Sequence, residues 1–176
     1  MTVKVSSRKE EIAMDDQEFK VSELTKADRA TLRRCVGRTL AESPKAISLF
    51  YSLVPNGLPK WKEERFFAVL CIAALWDDDR RGTPFELCMK RMKDTFPTMD
   101  NRMKSILSVR WSDEDGFLCG KLGSLARMMK SGNSLKPDAE QLYTDLVYWN
   151  SENQSVQKNW ARKYYTSENK SEEGEN

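Results

Sequence analysis

A chain of 176 residues, 39% hydrophobic and 32% charged, can bury the core of one ordinary domain or two small ones. It contains no histidine, which excludes Ser-His-Asp and Cys-His nucleophile activation, His-ligated zinc and an imidazole proton shuttle. The formal charge is only +2, yet residues 27–166 hold 23 Lys and Arg against 17 Asp and Glu, while residues 167–176 hold one Lys against four Glu.

Residues 1–26 mix both charge signs, with few large apolar groups and no apolar signal core, and are expected to be a flexible N-terminal segment. Helix-start signals then recur without strand alternation, so the expected fold is all-α, with about eight to nine helices in two small bundles. The first bundle is placed at 27–80, with helices near 27–41, 44–54 and 60–77. Ser43-Pro44 reads as a cap followed by a first-turn proline. The helix from Lys60 is apolar almost all round after Arg65, as suits the centre of a bundle. Its longest apolar run, Phe66 to Trp76, is 11 residues where a membrane span needs roughly 20. A soluble, cytoplasmic protein with no membrane partner is expected.

The charged stretch Asp77 to Gly82 reads as a hinge to a second bundle at 81–166, with helices near 84–94, 98–110, 113–131, 137–149 and 152–165. Thr83-Pro84-Phe85-Glu86 has the form of a capping box, and Ser112 to Asp115 and Ser151 to Gln154 are further start signals. Gly116, Gly120 and Gly123 lie inside a helical pattern, where small residues let a neighbouring helix approach closely. Residues 167–176 are expected to be a disordered acidic tail. Cys35, Cys71, Cys88 and Cys119 form no C-x-x-C pair and fall among apolar residues, so they read as buried, reduced thiols.

Without imidazole, enzymatic designs reduce to carboxylates. Asp77-Asp78-Asp79 and Asp113-Glu114-Asp115 offer hard oxygen ligands for magnesium, but consecutive helical residues point about 100° apart and do not converge on one ion. They read as a solvated helix end and a helix N-terminus. No catalytic residue, metal or cofactor is expected.

The basic residues are more informative. On a helical wheel begun at Arg29, Leu32, Cys35, Val36 and Leu40 share one side, with Arg34 and Arg38 at about 140° and 180°. Arg33 lies nearer the apolar edge, and Ala30 and Gly37 leave a low surface across which a phosphate backbone could lie. A second cluster comprises Arg102, Arg110, Lys121, Arg127 and Lys130, with Lys121 and Arg127 flanking an inner stripe of Leu118, Leu122, Leu125 and Met129. Lys60 and Lys62 oppose the helix dipole at a helix start unless an anion binds nearby. Each patch also has an ordinary solvated-face reading. Trp76, Trp111, Trp149 and Trp160, with Tyr143, Tyr148, Tyr164 and Tyr165, sit at helix ends or on apolar stripes and read mainly as core.

Residues 106–165 carry a recognisable order. An apolar helix ending in Arg110 precedes the basic helix, then come Leu142, Asp145, Leu146 and Trp149, then Val156-x-x-x-Trp160-Ala-Arg-x-Tyr-Tyr165. The N-terminal half adds Asp28-Arg29-Ala30-x-Leu32-Arg33-Arg34 and Phe50-Tyr51-x-Leu53-Val54, and Gly82-Thr83-Pro84-Phe85 makes a turn before a helix. Together these resemble the CasB family, the small subunit of the type I-E CRISPR surveillance complex Cascade.

The resemblance implies a two-bundle helical protein without covalent chemistry, acting in antiviral defence. Its implied partners are the backbone and large subunits, a second copy of itself, the guide RNA–target DNA hybrid and the displaced single strand, whose open R-loop it stabilises. The residues assigned to nucleic-acid binding are Arg33, Arg34, Arg38, Lys60, Arg102, Arg110, Lys121, Arg127 and Lys130. The lower charge of this chain and its two acidic triplets predict weak, salt-sensitive binding by the isolated subunit. The alternatives are a helical adaptor that contacts proteins and not DNA, and a carboxylate-metal enzyme.

Overall fold

The computed structural model describes residues 19–132 and 135–166, so residues 1–18 of the expected flexible segment and the acidic tail at 167–176 lie outside the described residues. Among the described residues the fold is all-helical. Its eight α-helices are α1 (Lys26–Arg34), α2 (Ile47–Leu53), α3 (Glu63–Ala73), α4 (Phe85–Met92), α5 (Met99–Leu107), α6 (Phe117–Gly132), α7 (Ala139–Val147) and α8 (Ser155–Tyr165). Single 3-10 turns at Pro44–Ala46 and Lys60–Lys62 lead into α2 and α3. No described helix is long and apolar enough to cross a membrane.

The core is built around α3, every residue of which from Arg65 to Ala73 is buried. Helix α3 packs most extensively on α7 and also meets α1 and α6, while α4 meets α5, α6 and α8. Buried apolar side chains from both halves join in one cluster. Ring contacts knit it: Phe66 meets Phe19, Phe50 and Tyr143, and Trp160 stacks on Phe85 with centroids 5.6 Å apart and meets Trp149 edge-on at 5.1 Å. Such pairs add about 1 kcal/mol each beyond area burial. All four cysteines are free and buried, and burial pushes the Cys88 and Cys119 thiols up to about 12.

Residues 19–25 belong to the segment expected to be flexible, yet Phe19 and Val21 are buried. The Asp79 carboxylate accepts from the backbone N–H groups of Val21 and Ser22, at 2.9 and 3.1 Å, and from the Ser22 hydroxyl. Apolar burial and a fixed anion together hold this strip against α3 and the segment after it.

Several local expectations are corrected. Helix α1 stops at Arg34 and not near 41, because Gly37 adopts φ +81° in the turn that follows. Helix α6 starts at Phe117 and not 113. Ser112 and Asp115 side chains cap a turn by accepting from the backbone N–H groups of Glu114, Asp115 and Phe117, and Gly116 follows at φ +60°. The Thr83/Glu86 capping box does not form. The Thr83 N–H donates to the Lys136 carbonyl at 2.8 Å, and the Glu86 carboxylate turns into the core, 3.3 Å from Lys163 Nζ. Ser43 makes no capping bond, and the residue preceding α8 is Gln154 in the left-handed region at φ 52°. The side-chain caps that do form are Thr25 before α1 and Asp138 before α7, each accepting an N–H three residues on at 3.1 Å.

Candidate nucleic-acid interface

The seam between α6 and the turn that follows α1 underlies part of the basic surface. A Cβ added at Gly37 would sit 3.6 Å from the Gly120 Cα, and one added at Gly123 would sit 2.5 Å from the Gly37 Cα, so backbone lies directly on backbone. The small residues of α6 do admit a neighbour, but it is the tight turn after α1 and not a helix. One cavity is lined by residues of α1 and the segment after it, and another by α5 and α6.

The first, about 380 Å³, is lined by Thr31, Arg34 and Arg38 on one side and by Glu42, Ser43 and Lys45 on the other. Arg34 and Arg38 are exposed, and neither has a carboxylate at ion-pair distance among the described residues. Arg38 reaches the cavity from the turn and not from the helical face assumed in the wheel. Lys45 enters from the 3-10 turn, where sequence periodicity gives no warning, although its place beside Pro44 at a helix start is a readable signal.

The second cavity, about 410 Å³, lies between α5 and α6. Arg102 and Lys121 supply its charge, Gly116, Gly120 and Ser124 leave room, and no acidic residue lines it. The Arg102 Nε–H donates to the Thr98 hydroxyl at 3.3 Å, leaving its outer nitrogens open. The Lys121 ammonium sits 4.5 Å from the Phe117 ring centroid, a cation–π contact. Gly120, which lines this cavity, packs on Gly37, the residue immediately before Arg38 of the first cavity.

The remaining candidates are differently employed. The Arg33 Nε–H donates to the Ala74 carbonyl at 2.6 Å and its Nη2 bonds Asp77, which also takes Arg29 at 2.9 Å. The Asp77 carboxyl is held below the usual carboxylate range, chiefly by the hydrogen bond from Arg29. Arg33 therefore enters a local acid pair, which corrects the picture of it beside an open phosphate surface. Arg127 is exposed and donates to the Arg33 carbonyl at 3.0 Å, so it lies on the seam. Lys130 lies over the Trp76 ring at 5.6 Å. Arg110 donates to the Asn150 carbonyl at 2.9 Å, tying the end of α5 to the loop before α8. Lys60 is exposed at its 3-10 turn, whereas Lys62 is 2% exposed and cannot present charge outward.

The triplet Asp77-Asp78-Asp79, expected as a solvated helix end, is a junction. Asp77 takes Arg29 and Arg33, Asp79 takes residues 21 and 22, and Asp78 accepts from Arg80 and, at 3.0 Å, from Lys136 Nζ. Lys136 also donates to the Asp78 carbonyl at 2.7 Å and to the Arg80 carbonyl. Three successive side chains thus bind three separate segments. Among the described residues no group of three or more acidic or thiol side chains is placed to hold a metal ion.

The expected aromatic core is present: Trp76, Trp111, Trp149, Trp160, Tyr143 and Tyr164 are buried, while Tyr148 and Tyr165 are exposed. Trp160 donates to Asp145 at 2.8 Å and Tyr164 to Asp100 at 2.7 Å. Arg65, 6% exposed, lies between Trp61 and Trp111 and donates to the Leu146 and Trp61 carbonyls at 2.9 and 2.7 Å. The basic groups thus divide into buried ties, surface pairs and an open seam set of Arg34, Arg38, Lys45, Arg102 and Lys121.

The family model described as CRISPR-associated protein Cse2 matches residues 28–165. Among solved structures the chain is similar in fold to one titled as the crystal structure of M. ruber CasB, with a TM-score of 0.61 and 20% identity over 81% of this chain and 86% of that one. No curated protein matches it.

Proposed function

The chain belongs to the CRISPR-associated Cse2 family, and from that premise we propose that it is a non-catalytic small subunit of Cascade. In this reading it holds the DNA backbone of the target strand and the displaced strand, and so stabilises the R-loop in antiviral defence. The observation that carries the reading is a pair of cation-lined cavities, one holding Arg34, Arg38 and Lys45 and the other Arg102 and Lys121, with the backbone contact of Gly37 on α6 linking the elements that line them. Guanidinium and ammonium groups on open surfaces suit phosphate contacts that position a strand without reading its sequence. Guide pairing supplies the sequence information, and because the exchange of duplex for heteroduplex is nearly balanced, a few such contacts decide whether the open state persists.

Arg127 extends the track along α6. Lys60, Arg110 and Lys130 belong to it as outlying contacts, and Arg33 joins only when Asp77 releases it. Glu42 within the first cavity and the acid pair at Arg33 keep the isolated subunit's affinity low.

The test uses the assembled complex, with Arg34, Arg38, Arg102 and Lys121 changed together to Gln. Assembly by size-exclusion is expected to persist, the lifetime of the open DNA state to shorten, and the slope of log affinity against log salt to become shallower by about 0.7–0.9 for each phosphate left without its cation. Unchanged DNA lifetime and salt slope would overturn the reading. A second reading, a helical adaptor without DNA contact, draws on the exposed apolar groups Ile47, Tyr51 and Trp61 along α2 and just before α3. That reading predicts that changing these three disrupts assembly while the seam variant leaves DNA handling intact.

A further inference from the structure

The cavity between α5 and α6 has a feature that phosphate contacts alone do not need. Phe117, the first residue of α6, is 52% exposed although the next turns of the same helix supply Leu118, Leu122 and Leu125 to the core. Its ring lines the cavity together with the apolar side chains of Ile106 and Leu125, above the small residues Gly120 and Ser124. A void of about 410 Å³ falls within the size range of ligand sites. The charged contribution is wholly cationic, with Lys121 4.5 Å from the ring and Arg102 also in the lining.

We propose that this cavity seats one unpaired nucleobase of a single strand, stacked on Phe117, with Arg102 and Lys121 holding the phosphates that flank it. The inference rests on the polynucleotide reading above and adds a chemical class to it: single-stranded over double-stranded nucleic acid. Every base presents a π-face, so stacking on a phenyl ring is tolerant of sequence, whereas a paired base has both faces covered within the duplex. Pairing of an aromatic platform with flanking cations is the combination that single strands need. Lys121 already lies over one face of the Phe117 ring, which leaves the opposite face for the base. The absence of any carboxylate in the lining favours this polyanion over an apolar protein side chain.

The experiment uses the full chain, a short single strand carrying one 2-aminopurine, and the same sequence as a duplex. Wild type is expected to quench the 2-aminopurine and to prefer the single strand. Phe117→Leu, which keeps bulk without a π-face, is expected to abolish the quenching and weaken single-strand binding roughly tenfold. Duplex affinity and the salt slope should stay unchanged, and Phe117→Tyr should behave as wild type. Circular dichroism on each variant controls for folding.

Steep salt dependence with no quenching in wild type, or equal quenching in Phe117→Leu, would overturn the base seat while leaving the backbone reading standing. Binding of neither strand would overturn both. Loss of self-association in Phe117→Leu, with unchanged single-strand binding, would assign the ring to a protein contact and likewise overturn the base seat.

Discussion

Along the last turn of α1, Arg33 engages its guanidinium with Asp77 and the Ala74 carbonyl, while Arg34, the next residue, faces an open cavity with Arg38 and Lys45. The first arginine closes the protein on itself; the second leaves its donors for something else. The contrast teaches that charge type and local sequence do not distinguish a structural cation from an available one. What separates them is whether the fold brings a carboxylate to the same place. Asp77 comes from a segment 44 residues away in sequence, and only the end of the apolar run after α3 delivers it there.

The largest effect that sharpens this contrast is expected at Arg65, the extreme structural case. Arg65→Ala removes a buried guanidinium from two backbone carbonyls and two indole rings and should lower unfolding free energy by about 3 kcal/mol in urea denaturation. Arg34→Ala should stay within about 0.5 kcal/mol of wild type. A comparable fall at Arg34 would erase the distinction.

The seam itself is next. Gly123→Ala places a methyl 2.5 Å from the Gly37 Cα, where backbone must move, and is expected to cost about 1–3 kcal/mol. If the seam is the track, this change should also weaken DNA binding by the folded protein, read by anisotropy at a temperature well below its unfolding midpoint.

Asp77→Asn tests the pair directly. Freeing Arg33 should raise DNA affinity several-fold and steepen the salt slope by about 0.7–0.9, the increment for one more neutralised phosphate, and a double variant with Arg33→Gln should cancel both changes. No gain in affinity would mean that Arg33 lies off the track. The sign for pH follows from the lowered Asp77 pKa: the pair contributes above the ordinary carboxylate value of 3.8 and is lost as pH falls below it.

The smallest effect concerns a carboxylate in the reverse situation. Burial raises Asp145 to about 6, with Glu86 and Asp138 nearby adding to the rise and the Trp160 hydrogen bond and Lys163 opposing it. The folded state therefore holds a proton that the unfolded chain has released, so this residue's contribution to stability declines as pH rises from about 4 to about 6. Asp145→Asn should flatten that decline in denaturation curves taken across the interval. An undiminished decline would place its origin elsewhere.

Much of the helical plan is legible because helices announce themselves locally. The inner stripe Leu118, Leu122, Leu125 and Met129 is buried as its spacing implies, α3 is central as its apolar run implies, and no strand interrupts the described residues. Caps and helix ends are less legible. Thr83 and Glu86 satisfy the capping-box pattern but are drawn away by Lys136 and Lys163, partners the pattern does not contain. Periodicity picks out most of the candidate cations, but it passes over Lys45, sets Arg38 on a helix that ends before it, and does not separate the surface acid pair of Arg33 from the open side chain of Arg34.

Composition and periodicity by themselves determined the all-helical class and the exclusion of imidazole chemistry, because these depend on residue identity and on spacings within a turn or two, while the family likeness rested on the order of motifs along the chain. Tertiary structure alone decided which charges are neutralised, where backbone meets backbone at Gly37 and Gly123, and which cations line a common cavity. Those outcomes depend on ion pairs and close approaches between segments far apart in the chain, and their range in space is a few ångströms while their separation in sequence is tens of residues.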